Sequence, residues 1–498
     1  MALNKVGFTL GKGGLGRPAA GTDHISGFVF GGLGSQKLFR ATSTQDAIDN
    51  GINITYADET KATATSTITN VGVDGNTYTA KVTLPTGEVV TIGEYTKAST
   101  ETTVILVATA IVKDIEKKSY ITGFTATNVN YTSATITITA KPGLGTYLNA
   151  GTKITITIVG TIAQTLVDFS GGVASVLAPI YYHIDQFFRV NPTGVLYCGG
   201  FVSLNADGSD ILTLQNYANG ECKQVLFFEP LVTFATTKVV QLQAIATTLL
   251  TAKTPSQIIL ANNLNGVALS ALTNLNAVAG SSVAVCIGQD GGNLGLTLAK
   301  GNAKSLTCGG AMLGAISLAN VQEDIAWVGK FNLSDAVELE TLAFANGVLY
   351  SDQTKVLLDQ LNDFRFVFLL KQRAIAGSYF NDSHNACVVS SDYAYIENNR
   401  VINKAIRFLD VALTPYLNSN IDLNSNGTIS DLSIEVFTSA CNVELESMKR
   451  NNNISDYSVS INSAQNVLST GLLTIGVVLI PKGVARNINV NIGFALKL

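Results

Sequence analysis

The sequence predicts a multidomain chain of mixed α+β and α/β class, with an α/β core, a β-rich insertion and a C-terminal helix–helix–three-strand unit. Three observations predict it. Over residues 171–398 short apolar runs alternate with helical patterns, the order expected of an α/β layer. Over 41–170 threonine becomes abundant, and short β-like runs are separated by turn signals. Over 399–498 two stretches with apolar residues at helical spacing precede three runs of period-two alternation. A chain of 498 residues has room for roughly two to four domains of about 100–200 residues each.

Residues 1–40 are rich in glycine and apolar side chains and end in the strand-like Ser26-Gly-Phe-Val-Phe, an arm followed by the first core strand. In the insertion, runs at 77–84, 134–140 and 152–159 are punctuated by Asp74-Gly75 and Pro142-Gly143, with one helical candidate at 103–117. The core candidates are strands at 195–201, 224–228, 258–261, 283–288 and 364–370, with helices near 238–252 and 352–362. That order predicts a mixed or parallel sheet.

In the last hundred residues Ile402, Ala405, Ile406, Leu409, Ala412, Leu413 and Tyr416 recur at helical spacing, while Lys404, Arg407 and Asp410 fall on other faces. Pro415 helps stop this helix, read over 399–418. A second helix over 430–449 starts at an N-capping Ser430 and carries Ile434, Phe437, Cys441, Leu445 and Met448 at core spacing. Three strands follow: Tyr457/Val459/Ile461, then Leu473/Ile475/Val477/Leu479, then the terminal run. That run places Val484, Ile488, Val490, Ile492, Phe494, Leu496 and Leu498 on one face, interrupted by Arg486. Asn487, Asn489, Asn491, Gly493, Ala495 and Lys497 fall on the other. It is about twice the usual strand length of ~5–6 residues, and chain ends fray unless tied down. So apolar a strand needs a sheet to join, and another subunit is one source of it.

The composition narrows the classes of function. Charged residues are 14% of the chain against a usual ~25%, hydrophobic residues reach 46%, and there are 45 glycines. Mean hydropathy is +0.29. A surface so short of charge is expected to be buried against partners. The net charge of −4 gives no electrostatic reason to invoke nucleic acid. The strongest apolar runs, 103–112 and 472–481, fall short of the ~20 residues of a spanning helix, and the helical stretches do not fit an outer-membrane barrel wall. No membrane insertion is expected. Residues 1–8 show no secretory h-region. Cys198, Cys222, Cys286, Cys308, Cys387 and Cys441 show no CxxC spacing and read as buried reduced thiols, which points to production in a reducing cytoplasm.

No motif singles out a catalytic residue, a metal or a cofactor. Gly11-Lys-Gly-Gly-Leu-Gly16 superficially resembles a phosphate loop, but Arg17-Pro18 and Gly21 oppose the helix that such a loop requires. Asp422-Leu-Asn-Ser-Asn-Gly427 matches the first half of an EF-hand loop, yet the twelfth position is Ser433 instead of a bidentate Glu. A helix-connecting turn is the better reading. His24, His183 and His384 have no partner at ligand spacing; His183 is expected to pack in an aromatic-rich segment, and His384 to lie in a loop. Ser390 and Ser391 beside Asp392 lack the Gly-x-Ser-x-Gly elbow.

The C-terminal unit carries a family resemblance. Ser391-Asp-Tyr-Ala-Tyr-Ile-Glu-Asn-Asn-Arg-Val-Ile-Asn-Lys-Ala-Ile-Arg407 resembles the segment that opens the C-terminal domain of contractile tail sheath proteins. Leu413-Thr-Pro-Tyr-Leu-Asn418, Ile454-Ser-Asp-Tyr-Ser-Val-Ser-Ile-Asn462 and Ile480-Pro-Lys-Gly-Val-Ala485 are similar too. So are Gly13-Gly-Leu-Gly-Arg17, Asp23-His-Ile-Ser-Gly27 and Ala376-Gly-Ser-Tyr-Phe-Asn-Asp382. The likeness covers 1–40 and about 280–498, and is only general over 41–170.

The resemblance implies a structural subunit, not an enzyme. It would polymerise helically with itself around a tail tube protein, attached to baseplate and tail terminator proteins, in a virion assembled in the bacterial cytoplasm. It divides the chain into an arm and first strand (1–40), an outer β-rich insertion (41–170), an α/β sheath core (171–398) and a C-terminal sheath domain with exchanged terminal arms (399–498). The strand-exchange residues it implies are Val6, Phe8, Leu10, Ile488, Val490, Ile492, Phe494 and Leu496, with Gly13, Gly14 and Gly483 as hinges. Another virion structural protein, such as a tail tube or capsid component, is the nearest alternative; an unrecognised soluble enzyme is the alternative of a different class.

Overall fold

A six-stranded sheet organises the centre of the chain in a computed structural model that describes residues 21–302 and 305–494. Val6, Phe8, Leu10, Gly13, Gly14 and Leu496 lie outside the described residues. In the sheet β1 (Ile25–Phe30) runs parallel between β10 (Val195–Gly200) and β11 (Gln224–Thr233). Next to β11 come β12 (Gln257–Asn263) and β13 (Val283–Val285), both parallel, while β2 (Lys37–Ala41) is antiparallel on the far side of β10. The sheet is therefore mixed, and parallel except at one edge.

Every residue of β1 is buried, as expected of a central parallel strand covered on both faces. Alternate side chains divide between two cores. Phe28 and Phe30 join Leu226 and Ile259 beneath α3 (Leu177–Val190) and α7 (Gly309–Leu318). Val29 joins Phe227 and Ile258 beneath α4 (Asp210–Tyr217) and α5 (Thr236–Thr251). Two short helices, α1 (Thr44–Asp49) and α6 (Asn293–Asn302), lie on the α3 side, and α8 (Lys355–Asp363) lies on the other. β14 (Gly288–Asp290) pairs with β15 (Leu342–Phe344), and β16 (Leu369–Leu370) with β17 (Tyr379–Phe380), in two small antiparallel sheets.

The α3–α7 crossing depends on small side chains. A Cβ at Gly310 would sit 2.3 Å from the His183 carbonyl oxygen, and one at Gly314 would sit 2.8 Å from that of Phe187. Gly310 N–H instead donates to His183 Nδ1 at 3.1 Å. His183 is indeed enclosed by aromatic rings, with Phe228 and Phe28 at centroid distances of 4.3 and 5.7 Å.

Between β2 and α3 lies the β-rich unit, with its own core. β3 (Thr63–Asn70), β6 (Thr125–Thr127), β7 (Thr135–Thr139) and β9 (Ala163–Ser170) form one antiparallel sheet; β4 (Thr77–Thr83), β5 (Val89–Thr96) and β8 (Ile154–Val159) form another. The helix α2 (Val104–Thr122) starts where the Thr103 hydroxyl accepts from Leu106 N–H at 3.2 Å. It buries Val107, Ala108, Ile111, Val112 and Ile115 against this core. Its two connections to the central domain are tied together, since Thr60 and Val173 exchange both backbone hydrogen bonds at 3.1 and 2.8 Å. Asp58 accepts from Val176 and Leu177 N–H at 2.8 and 3.1 Å, placing a carboxylate at the start of α3. Ala41, Ala47 and Ile52 belong to the central core.

At the C-terminus α9 (Ile396–Leu413) packs on α10 (Asp431–Arg450), followed by β18 (Asp456–Ile461), a four-residue α11 (Val467–Thr470) and β19 (Ile475–Ile480). Ser430 caps α10, its hydroxyl accepting from Ser433 N–H at 3.2 Å. Phe437, Cys441, Leu445 and Met448 are buried as their spacing predicts. On α9 Ala405 is buried as predicted, but the rest of the predicted stripe, Ile402, Ile406, Leu409, Ala412, Leu413 and Tyr416, is only half-buried, and Asn399, Arg400 and Val401 face inward with Ala405.

Two further expectations differ from the structure. The 364–370 run forms strand only at Leu369–Leu370, because Phe364 ends α8 and Arg365 takes a φ of 71°. The terminal run forms no strand over 484–494, and among the described residues no strand pairs with it.

Candidate assembly interface

The C-terminal unit is fastened to the core by cations at i, i+4 and i+7 on α9. Arg400 donates to the carbonyls of Ala319 and Asn320 at 3.1 and 3.2 Å. Lys404 reaches the Asp23 carboxylate at 2.6 Å. Arg407 donates to the carbonyls of Gly220 and Pro255, both at 2.7 Å, and of Cys222 at 3.1 Å. These carbonyls border the starts of β11 and β12, so the guanidinium groups satisfy acceptors that the sheet leaves unpaired. The Arg-x-x-x-Lys-x-x-Arg spacing thus welds helix to sheet.

β18 and β19 pair only with each other among the described residues, so each keeps an open edge. Their inner face, Tyr457, Val459, Val477 and Leu479, packs on the two helices. The outer face shows Val478 and Ile480, 62% and 53% exposed. Edges of this kind are templates for another strand.

After β19 the chain crosses back to the core and is anchored at Arg486. Its guanidinium contacts Asp382 at 3.0 Å, Asp324 at 3.1 Å and Glu397 at 2.5 Å. Burial, then Glu397 and Asp382, pushes the Asp324 carboxyl up to about 7, with Arg486 opposing. Nearby His384 is pushed down to about 4 by burial and is neutral at physiological pH. The sole tryptophan, Trp327, borders the same cavity as Val484, Arg486 and Ile488. The one residue that breaks the apolar alternation is therefore the anchor, a role that charge against an apolar face signals but cannot locate.

Beyond the anchor, over 488–494, the apolar side chains have no cover among the described residues. Ile488, Val490, Ile492 and Phe494 are 79%, 72%, 91% and 110% exposed. Gly483 has an ordinary backbone, and a Cβ there would meet open space, so packing does not require glycine at this position.

The remaining candidates lie apart from this region or serve structure. The Asp422–Gly427 segment is a turn in which Thr428 N–H donates to Asn426 Oδ1 at 3.1 Å and Gly427 takes a φ of 81°. Ser433 Oγ accepts from Asp422 N–H at 3.0 Å. Ser391 accepts from Tyr393 N–H at 3.2 Å within a turn. His384 is buried, bonded to Asn362 at 3.0 Å, and His24 lies just before β1. The six cysteines are buried and unbridged. Among the described residues no group of three or more His, Cys, Asp or Glu is placed to hold a metal ion. No helix among them is long and apolar enough to cross a membrane.

The fold is that of a mixed α/β multidomain protein with several sheets. Residues 392–498, the helical pair with its β-ribbon and terminal segment, match the family described as DUF2586, C-terminal domain. Among solved structures the chain is similar to a sheath tail protein from Desulfitobacterium hafniense (11% identity, TM-score 0.38, covering 95% of this chain and 100% of that one). It is similar to a sheath tail protein from Listeria innocua (10% identity, TM-score 0.39, covering 93% and 96%). It is also similar to a chain of the anti-feeding prophage baseplate (14% identity, TM-score 0.42, covering 64% and 80%). Comparison with curated proteins gives no match.

Proposed function

We propose that this chain is a structural subunit of a contractile tail sheath, polymerising helically around a tail tube and joined to baseplate and terminator proteins in a virion. The observation that carries the reading is the pairing of an uncovered donor with open acceptors. Residues 488–494 present four large apolar side chains at period two, and β18 and β19 present two edges that are free among the described residues. Addition of one to the other in a second copy is β-augmentation, in which backbone hydrogen bonds supply affinity and alternate side chains supply register. Donation is head to tail, so it does not close on itself and generates rings and open helices. Val6, Phe8 and Leu10 form a second donor, and Leu496 extends the first.

The motif series from Ser391 to Arg407 and from Ile480 to Ala485 supports the same assignment. In this reading 171–398 is the sheath core, 41–170 the outer domain and 399–498 the domain that exchanges strands. Contraction is a rigid-body repacking of subunits that stay linked through their arms, with Gly13, Gly14 and Gly483 absorbing the movement. The energy is stored in assembly, so the mechanism calls for no nucleotide. Negative-stain imaging of the purified chain tests this reading. Cross-striated hollow tubes are expected; a monodisperse monomer at high concentration, or a small closed oligomer with a polar cleft, would refute it.

A further inference from the structure

The junction between α9 and the core encloses a small cavity of about 50 Å³, bordered by Lys223, Arg400, Lys404 and Arg407 together with Asp23. Four cations therefore meet one carboxylate, and Lys404 already holds that carboxylate at 2.6 Å. Hydrogen bonds to carbonyl oxygens satisfy the guanidinium donors of Arg400 and Arg407 but leave their charge uncompensated. Lys223 is half-buried, and its ammonium group has no hydrogen-bond or ion-pair partner among the described residues. The other acids within electrostatic reach are engaged elsewhere: Glu221 with the Tyr197 hydroxyl at 2.9 Å, Glu323 with Lys330 at 2.6 Å and Glu397 with Arg486 at 2.5 Å.

We propose that this junction is an oxyanion site, taking a phosphate or a carboxylate group between Lys223 and the cations of α9. Like charges withdrawn from water are costly unless an opposite charge joins them. Ammonium and guanidinium groups are the usual partners of oxyanions. The electrostatics agree, since burial and then Arg407 push Lys223 down to about 8, and burial holds Arg400 and Arg407 down to about 10. The cavity of about 50 Å³ exceeds the ~10–15 Å³ that holds one water but has little room beyond that, so the group is compact. This chain's terminal segments do not supply a side-chain anion, because residues 1–20 and 484–498 contain no Asp or Glu. The oxyanion in this proposal is a free phosphate or a carboxylate of a second copy, and its binding fastens α9 to the start of the core strands.

The test titrates the dispersed full-length chain with inorganic phosphate against chloride at matched ionic strength, by calorimetry and thermal shift. A saturable response to phosphate is expected, weakened at least about tenfold by Lys223→Met and retained by Lys223→Arg. Lys404→Gln gives a second variant should Lys223→Met misfold. Carbodiimide cross-linking of the concentrated protein covers the other source: it is expected to join Lys223 to an Asp or Glu of another copy. The proposal falls if phosphate acts no differently from chloride and no such cross-link forms. It falls equally if the phosphate response survives both Lys223→Met and Lys404→Gln. Because the titration reads dispersed subunits, its outcome is independent of whether the chain forms tubes.

Discussion

The Arg486 guanidinium lies over the Tyr395 ring, 3.5 Å from its centroid, while its nitrogens bond carboxylates from three separate segments. Glu397 is 2% exposed and Asp324 7%, so removing the cation strands two buried acids. Arg486→Ala is expected to destabilise the chain by about 3–5 kcal/mol, the usual consequence of breaking a buried pair from one side. It should also release the segment beside Trp327. Urea unfolding gives the first quantity, and acrylamide quenching of the single tryptophan gives the second; unchanged quenching would mean that Arg486 is not the anchor.

The Asp324 carboxyl links the same cluster to pH. Its folded value of about 7 stands above an unfolded value near 4, so the folded state binds the extra proton. The stability it contributes is complete below about pH 4 and is lost as pH rises through about 7, at no more than about 1.4 kcal/mol per pH unit. Asp290, pushed up to about 7 by burial and by Glu338 facing it, acts with the same sign. Asp324→Asn keeps an acceptor for Ala326 N–H and should flatten this slope in part, measured by urea unfolding across pH 4–8.

Gly310→Ala should loosen the α3–α7 crossing. The added methyl meets backbone rather than a yielding side chain, so about 1–3 kcal/mol or more is expected. A melting temperature equal to that of the parent would show that the crossing is free to shift.

Ser430→Ala removes the cap of α10 and should cost about 1 kcal/mol, read by thermal denaturation. The loss should be confined to the C-terminal unit, visible as faster amide exchange in the first turn of α10.

Deleting residues 487–498 leaves Arg486 in its socket and removes Ile488, Val490, Ile492 and Phe494, which no strand among the described residues covers. The melting transition should stay in place while tubes disappear from negative-stain fields. Tubes formed by the truncated chain would exclude the terminal segment as the link between subunits.

Periodicity made α2, α5, α9, α10 and the parallel strands legible before any coordinates. α3 was equally open to reading, since Leu177, Ile180, Tyr181, Ile184, Phe187 and Phe188 follow helical spacing, but buried His183 and Gln186 blur the polar face. α7 offers no such pattern, because Gly-Gly-Ala-Met-Leu-Gly-Ala-Ile-Ser is buried all round and its glycines argue against a helix. Arg407 falls on another face from the apolar stripe, and its carbonyl partners come from positions 152 to 187 residues away. Long-range partners of this kind leave no local trace. The terminal run announced a strand but not its sheet, because period-two alternation marks an apolar face without naming the edge that covers it, and among the described residues no strand pairs with 484–494.

The tied neck at Thr60 and Val173 has a consequence for change over time. Entry and exit of the β-rich unit leave the core as one closed stem, and its other bonds to the core go to Lys300 and Gly301 on α6, outside the central sheet, so strands beyond these contacts can alter without a break in that sheet. The position works as a graft point for sequence that keeps the bonds of Thr146 and Pro85 to α6.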